Sequence, residues 1–166
     1  MSLDNIQLPA CIIAGLYNKS LYDLKPYKPV QVNDNDEKLL YLGENLKHVT
    51  IIVDNNEAIY LPDEQLSFLL DILTACKLTM ADVSVINLSK NLHCTYKEIS
   101  NILKSEIVLL FGLHPDAINL PLQIPHYQVQ KFNNQVFLSS ESLSQLQKDK
   151  SEKLKLWNCL KKIFSI

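Results

Sequence analysis

The sequence contains no arginine, since all sixteen of its basic residues are lysine. Arginine reads phosphate, carboxylate or guanine through two parallel hydrogen bonds, whereas a lysine ammonium offers only a point charge. The net charge of −2 also creates no global field that would draw the protein to nucleic acid or to an anionic membrane. Sequence-specific DNA recognition is therefore disfavoured, and we expect nucleic-acid binding to be weak or absent.

Glycine is scarce as well, with only Gly15, Gly43 and Gly112 in the chain. A loop that cradles a phosphate needs clustered glycines, because only they let the backbone approach the anion closely. This excludes nucleotide-binding enzymes of the P-loop or dinucleotide type. We expect the protein to use no cofactor.

The four cysteines follow no metal or redox spacing. Cys11, Cys76, Cys94 and Cys159 match no zinc, CxxC or iron–sulfur pattern, so we interpret them as structural and expect no metal site. No apolar stretch approaches the roughly 20 residues that span a bilayer. Residues 1–9 carry no basic region followed by an apolar one, and we therefore expect no secretion signal, no membrane partner and a cytoplasmic location.

The remaining composition is that of a folded domain, with 47% apolar and 20% charged residues in 166. Residues 1–47 are interpreted as an N-terminal arm and lead-in, and residues 48–166 as an α/β domain. The arm carries an apolar stripe at helical spacing outside the pattern of the domain, and we expect it to bind a protein partner. The alternative is that the arm packs back on its own domain. The stripe consists of Leu8, Ile12, Ile13, Leu16 and Tyr17.

From residue 48 onward, strand and helix patterns alternate. Apolar runs predict strands at 49–53, 83–88, 106–111 and 135–139. Helices are predicted from Pro62, from the capping box Thr95–Glu98, and over 151–164. This alternation predicts a three-layer α/β/α domain with a short, mostly parallel, four-stranded sheet. The expected inner helix faces are Leu66, Leu69, Leu70 and Leu73, then Ile99, Ile102 and Leu103, then Leu154, Trp157, Leu160 and Phe164; a hairpin is expected at Asn133–Asn134.

Residues 48–164 resemble the uracil-DNA glycosylase-like superfamily in element order. Residues 98–112 look like its helix, third strand and following glycine, and 153–160 are similar to its closing helix. Residues 136–143 lie where its fourth strand delivers a His-Pro-Ser loop. The resemblance implies the strand order 2-1-3-4 for the four predicted strands.

The catalytic groups of that superfamily are missing here. Its members place a water-activating acid or amide in a glycine-containing loop after the first strand, where this chain reads Asp54-Asn55-Asn56-Glu57-Ala58. They place a histidine after the fourth strand, where Ser139 and Ser140 stand. Loss of both groups would remove the water positioning and the stabilisation of the departing base together. We therefore expect a non-enzyme.

The layout of an arm and a small degenerate domain is similar to the psi accessory subunits of bacterial replicative DNA polymerase. In that family the arm docks on the clamp loader and the domain binds a partner subunit. The resemblance thus implies a protein-interaction or scaffold role in DNA replication or repair. The alternative is a divergent nucleic-acid-binding or base-excising glycosylase.

The best place for a site is the carboxyl edge of the sheet, where open α/β sheets bind ligands. An open pocket there would favour the enzyme, and a cleft filled by side chains would favour the scaffold. His114 follows the third strand, and Asp116 stands where a His-Pro-Ser motif would have serine. The candidate residues are Asp54, Asn55, Glu57, His114, Ser139 and Ser140.

Overall fold

The structure, a computed structural model, describes residues 39–92 and 94–166. The described residues belong to one compact unit of the chain. The division between an arm and a domain at residue 48 stays a prediction. The arm stripe of Leu8, Ile12, Ile13, Leu16 and Tyr17 lies outside the described residues, so its partner-binding role stays a prediction.

The described residues form one mixed six-stranded sheet, so the expected number of four strands is wrong. The four predicted strands make its parallel centre, and their spatial order β3-β2-β4-β6 is the expected 2-1-3-4. A short antiparallel strand is added at each edge. The strands are β1 (Tyr41–Leu42), β2 (Val49–Val53), β3 (Val83–Asn87), β4 (Ile107–Phe111), β5 (Val129–Phe132) and β6 (Gln135–Ser140).

The central strands are buried on both sides, as their apolar sequences predict. All five residues of β2 and of β3 are buried, and four of the five in β4. The strands pair without stagger, since Val53 lies opposite both Asn87 and Phe111, and Phe111 lies opposite Ser140. Their carboxyl ends therefore meet at one edge of the sheet.

Helices cover both faces of this sheet. Leu69, Leu146 and Leu160, from three different helices, pack on one face, while Ile99 and the segment 113–124 pack on the other. The predicted capping box at the start of the helix Tyr96–Leu103 is confirmed, because the Thr95 N–H donates to Glu98 Oε2 at 2.7 Å. The helices are α1 (Asp63–Ala75), α2 (Tyr96–Leu103), α3 (Leu143–Lys148) and α4 (Lys150–Phe164).

The predicted inner faces of α2 and α4 are wrong at one residue each. Ile102 is 55% exposed and Leu154 is 61% exposed. In α4 the sheet-facing arc is centred on Leu156 and Leu160, and Leu154 lies on the opposite side of the helix. Apolar residues lie both on the side of α4 that carries Leu156 and on the side that carries Leu154, and lysines alternate with them. The sequence alone therefore does not show which of the two sides packs on the sheet. Leu70 in α1 is also 40% exposed, whereas Leu69 and Leu73 are buried as predicted.

None of the helices between residues 39 and 166 combines the length and the apolar character that a membrane crossing requires.

Candidate functional site

At the carboxyl edge of the parallel sheet, the buried side chain of Asn87 links the end of β3 to the loop after β2. Asn87 ends β3 and is fully buried. Its Nδ2 shares two hydrogens among three carbonyl oxygens, those of Asn55 at 2.7 Å, Ala58 at 3.0 Å and Ile59 at 3.1 Å. Its Oδ1 accepts from the Asn55 N–H at 3.0 Å. One amide therefore holds residues 55–59 of the loop that connects β2 to α1.

The predicted loop residues Asp54, Asn55 and Glu57 differ in what their side chains can do. Asn55 Oδ1 accepts from the backbone N–H groups of Glu57 at 2.9 Å and Ala58 at 3.1 Å, so this amide caps its own turn. The Asp54 carboxylate is exposed and accepts a hydrogen bond from the Ser89 hydroxyl. Glu57 is exposed. Only the two carboxylates remain open to a ligand.

Ser139 and Ser140 are not available at the surface. Each is only 1% exposed, because β6 is covered on both faces up to its last residue. Ser140 Oγ donates to the Glu141 carbonyl oxygen at 3.3 Å, and Ser139 Oγ is buried without a partner among the described residues. The two serines also lie two strands away from Asp54, roughly 10 Å at the usual strand spacing. The structure therefore does not join them to the loop after β2.

The corner between β4 and β6 is closed by backbone. The Gly112 N–H donates to the Ser140 carbonyl oxygen at 2.9 Å, with φ at +67°. A Cβ on Gly112 would lie 2.8 Å from Cβ of Ser142, the residue before α3. The glycine here lets the chain pack tightly against the start of α3, and leaves no cradle for a ligand.

His114 is an exposed residue that pairs with Asp116. Its side chain is 76% exposed, and Nδ1 lies 3.3 Å from a carboxylate oxygen of Asp116, which is 81% exposed. Pro115 begins a 3-10 turn that directs the chain onto the α2 face of the sheet. We interpret the histidine as a surface residue beside this turn.

Sequence reasoning missed a cluster of titratable side chains around Tyr127, beside the end of β6. The Tyr127 N–H donates to the Ser139 carbonyl oxygen at 2.8 Å, and the Tyr127 hydroxyl oxygen accepts from the Glu141 N–H at 3.4 Å. Burial, reinforced by a hydrogen bond to Glu152, raises the pKa of the Tyr127 phenol. Lys155 lies 2.8 Å from Glu152, and its Nζ is 5.7 Å from the centre of the Tyr127 ring.

The same cluster fixes the charge states of its members. The hydrogen bond from Lys155, followed by the one from Tyr127, lowers the pKa of Glu152.

The Cys159 thiol donates to the Tyr127 carbonyl oxygen at 3.1 Å, and burial raises the pKa of this thiol. Burial raises the pKa of Cys76 to about 11. Both thiols are therefore protonated, which agrees with their interpretation as structural residues.

The Tyr127 cluster holds α4 against the end of β6, and it presents no activated nucleophile. The i, i+3 spacing of Glu152 and Lys155 was the only local signal of it, and that spacing is common on exposed helices. Within residues 39–92 and 94–166, no group of three His, Cys, Asp or Glu side chains could hold a metal ion.

Comparison of the chain with protein-family models and with curated proteins gives no match.

Proposed function

We propose that this chain is a non-enzymatic protein-interaction or scaffold protein with a degenerate uracil-DNA glycosylase-like fold, acting as a psi-like accessory factor in DNA replication or repair. The observation that carries the proposal is the burial of Ser139 and Ser140, each 1% exposed, where the resembled enzymes present their histidine. A group that is covered by the protein cannot stabilise a departing base. The α/β architecture with the central order β3-β2-β4-β6 supports the resemblance to that superfamily.

The loop after β2 supports the same conclusion. An amide that positions water must offer its oxygen to solvent, but Asn55 Oδ1 accepts from two backbone N–H groups. Asn87 fixes this loop from below through four hydrogen bonds. The Asn55 and Asn87 amides therefore maintain the fold.

One observation favours the alternative of a divergent base-excising or nucleic-acid-binding protein. The Asp54 carboxylate is exposed at the end of a central strand, where glycosylases keep their water-activating group. It needs a partner group across the cleft, and Ser139 and Ser140 are buried. We rank this function second for that reason.

An excision assay separates the two functions. The protein, in excess, is incubated with a labelled oligonucleotide that carries one uracil, either single-stranded or paired, and abasic product is measured after alkaline cleavage. We expect no product above the protein-free control from the wild type or from Asp54→Ala. Product that forms with the wild type and disappears with Asp54→Ala would establish the enzyme.

The binding function is tested by reconstitution. Proteins cross-linked to the tagged full-length chain in its native host are identified, produced separately and recombined with the purified chain. We expect at least one to form a stoichiometric complex in sedimentation velocity. A chain that sediments alone in the presence of every recovered candidate would contradict a scaffold role.

A further inference from the structure

Helices α1 and α4 leave an apolar groove between them, which we call the α1–α4 groove. Its volume is about 200 Å³. The floor consists of buried Leu156 and Leu160, and the walls are the half-buried Phe68, Ile72 and Trp157. Among the described residues, the groove therefore offers apolar surface that none of them covers, which is the usual property of a docking site.

The α4 side of this groove is strongly basic. Residues 148–162 carry six lysines against two acids, whereas residues 39–147 carry six lysines against eleven acids. The domain thus has one positive helix on an otherwise negative surface. A negatively charged partner surface would bind this helix more tightly than a neutral one. An extended polyanion would also contact the negative remainder of the domain and be repelled by it.

The lysines are placed around the one tryptophan of the chain. Lys150, Lys153 and Lys161 stand seven and four residues before Trp157 and four residues after it, so they share its side of α4. Lys153 Nζ lies 5.2 Å from the centre of the Phe68 ring and closes one end of the groove. On the opposite wall the exposed carboxylate is Asp71.

We propose that the α1–α4 groove binds an amphipathic helix of a protein partner, whose apolar stripe enters the groove and whose acidic flank faces the lysines of α4. This inference rests on the proposed protein-binding function and names the surface that performs it. Apolar anchors in a groove with a charged rim are a common mode of helix recognition. Residues 150–161 extend over roughly 17 Å of helix, which matches about three turns of a bound helix.

The apolar floor favours a peptide over single-stranded nucleic acid. Bases stack on exposed aromatic faces, with cations tracking the phosphates on both sides. Here Trp157 is half-buried and the wall opposite carries Asp71, which would repel a phosphate. A leucine-type side chain enters such a groove without that repulsion.

Trp157 allows a direct test, since it is the only tryptophan and its emission reports occupancy of the groove. The full-length chain is titrated with two synthetic helices of about 16 residues that share one leucine stripe. One carries glutamate along one flank, and the other carries lysine at the same positions. We expect the glutamate helix to shift the emission and to bind about tenfold more tightly than the lysine helix.

Charge reversal on the groove provides the second arm. In Lys153→Glu/Lys161→Glu the preference should invert, so that the lysine helix binds more tightly. Lys97→Glu, on the exposed side of α2 at the other face of the sheet, should leave both affinities unchanged. Circular dichroism and thermal unfolding check that each variant is folded.

Three results would overturn the inference. These are no emission change with either helix up to about 1 mM, equal affinity for both helices, and a larger emission change with oligothymidine than with the glutamate helix. Failure here is distinct from failure of the proposed function. A reconstituted partner complex that survives Lys153→Glu/Lys161→Glu would keep the scaffold role and reject the groove.

Discussion

The side chain of Asn87 is bonded to both backbone polar groups of Asn55, accepting from its N–H at 3.0 Å and donating to its carbonyl oxygen at 2.7 Å. A side-chain amide has the same donor and acceptor arrangement as a peptide, so Asn87 pairs with Asn55 as a neighbouring strand would. Residues 54–59 belong to the loop that follows the end of β2. In this chain the loop is a fixed part of the fold.

Asn87→Ala should destabilise the protein by about 3 kcal/mol, because it leaves three carbonyl oxygens and one N–H without a buried partner. Urea unfolding followed by circular dichroism measures the loss. Asn158→Ala, at an exposed position of α4, is the matched control and should change stability by less than about 0.5 kcal/mol. Equal effects of the two substitutions would show that the Asn87 amide is not needed to hold the loop.

Gly43→Ala should cost at least about 2 kcal/mol, from backbone strain together with steric overlap. Gly43 has φ at +105°, and a Cβ there would lie 2.2 Å from the Val83 carbonyl oxygen. That oxygen accepts from the Asn45 N–H at 3.1 Å, so the turn after β1 cannot move away without losing this bond. Glu44→Ala, at the exposed next residue, is the control. A urea midpoint for Gly43→Ala equal to that of the control would contradict the close approach.

Tyr127 should make the protein sensitive to alkali. Its pKa is raised above the ordinary value of 10.0 by burial and by Glu152, so the neutral phenol is favoured in the folded state. The stability that it contributes is fully present below pH 10 and is lost as pH rises toward the higher folded pKa. Tyr127→Phe should therefore lose less stability above pH 10 than the wild type does, as measured by urea unfolding at a series of pH values.

Glu152→Gln gives an independent check on that assignment. Without the carboxylate, the ionisation step that Tyr127→Phe removes from a spectrophotometric titration should move to lower pH, because one cause of the raised pKa is gone. A titration curve that neither substitution changes would mean that Tyr127 and Glu152 do not interact in solution.

Deletion of residues 1–28 should abolish or strongly weaken partner binding, since this segment carries the apolar stripe that the domain pattern does not include. Binding is measured with the reconstituted partner, and unfolding cooperativity with urea. A truncated chain that unfolds less cooperatively but retains the partner would show that the arm is part of the core.

The sequence determined the elements that depend on near neighbours. Residues 49–53 and 107–111 are apolar runs too short for helices and rich in β-branched residues, and both are central strands. Thr95 and Glu98 cap a helix through bonds that span three residues. The pair Asn133–Asn134, both with positive φ, forms the predicted hairpin turn between β5 and β6.

The tertiary structure alone decided what lies between distant elements. Strand β1 has two residues and exists because Tyr41 and Leu42 pair with Ile86 and Val85. No local periodicity can indicate a strand of that length.

The same reason applies to the candidate site. The sequence placed Asp54 and Ser140 at strand ends, but the burial of Ser140 depends on which residues cover β6. The Tyr127–Glu152 contact joins residues 25 positions apart, and Asn87 reaches a loop about 30 residues earlier. The residue type of a polar side chain does not reveal whether that side chain faces water or hydrogen-bonds to backbone groups that have no backbone partner. Only the packing of separate elements determines which of the two it does.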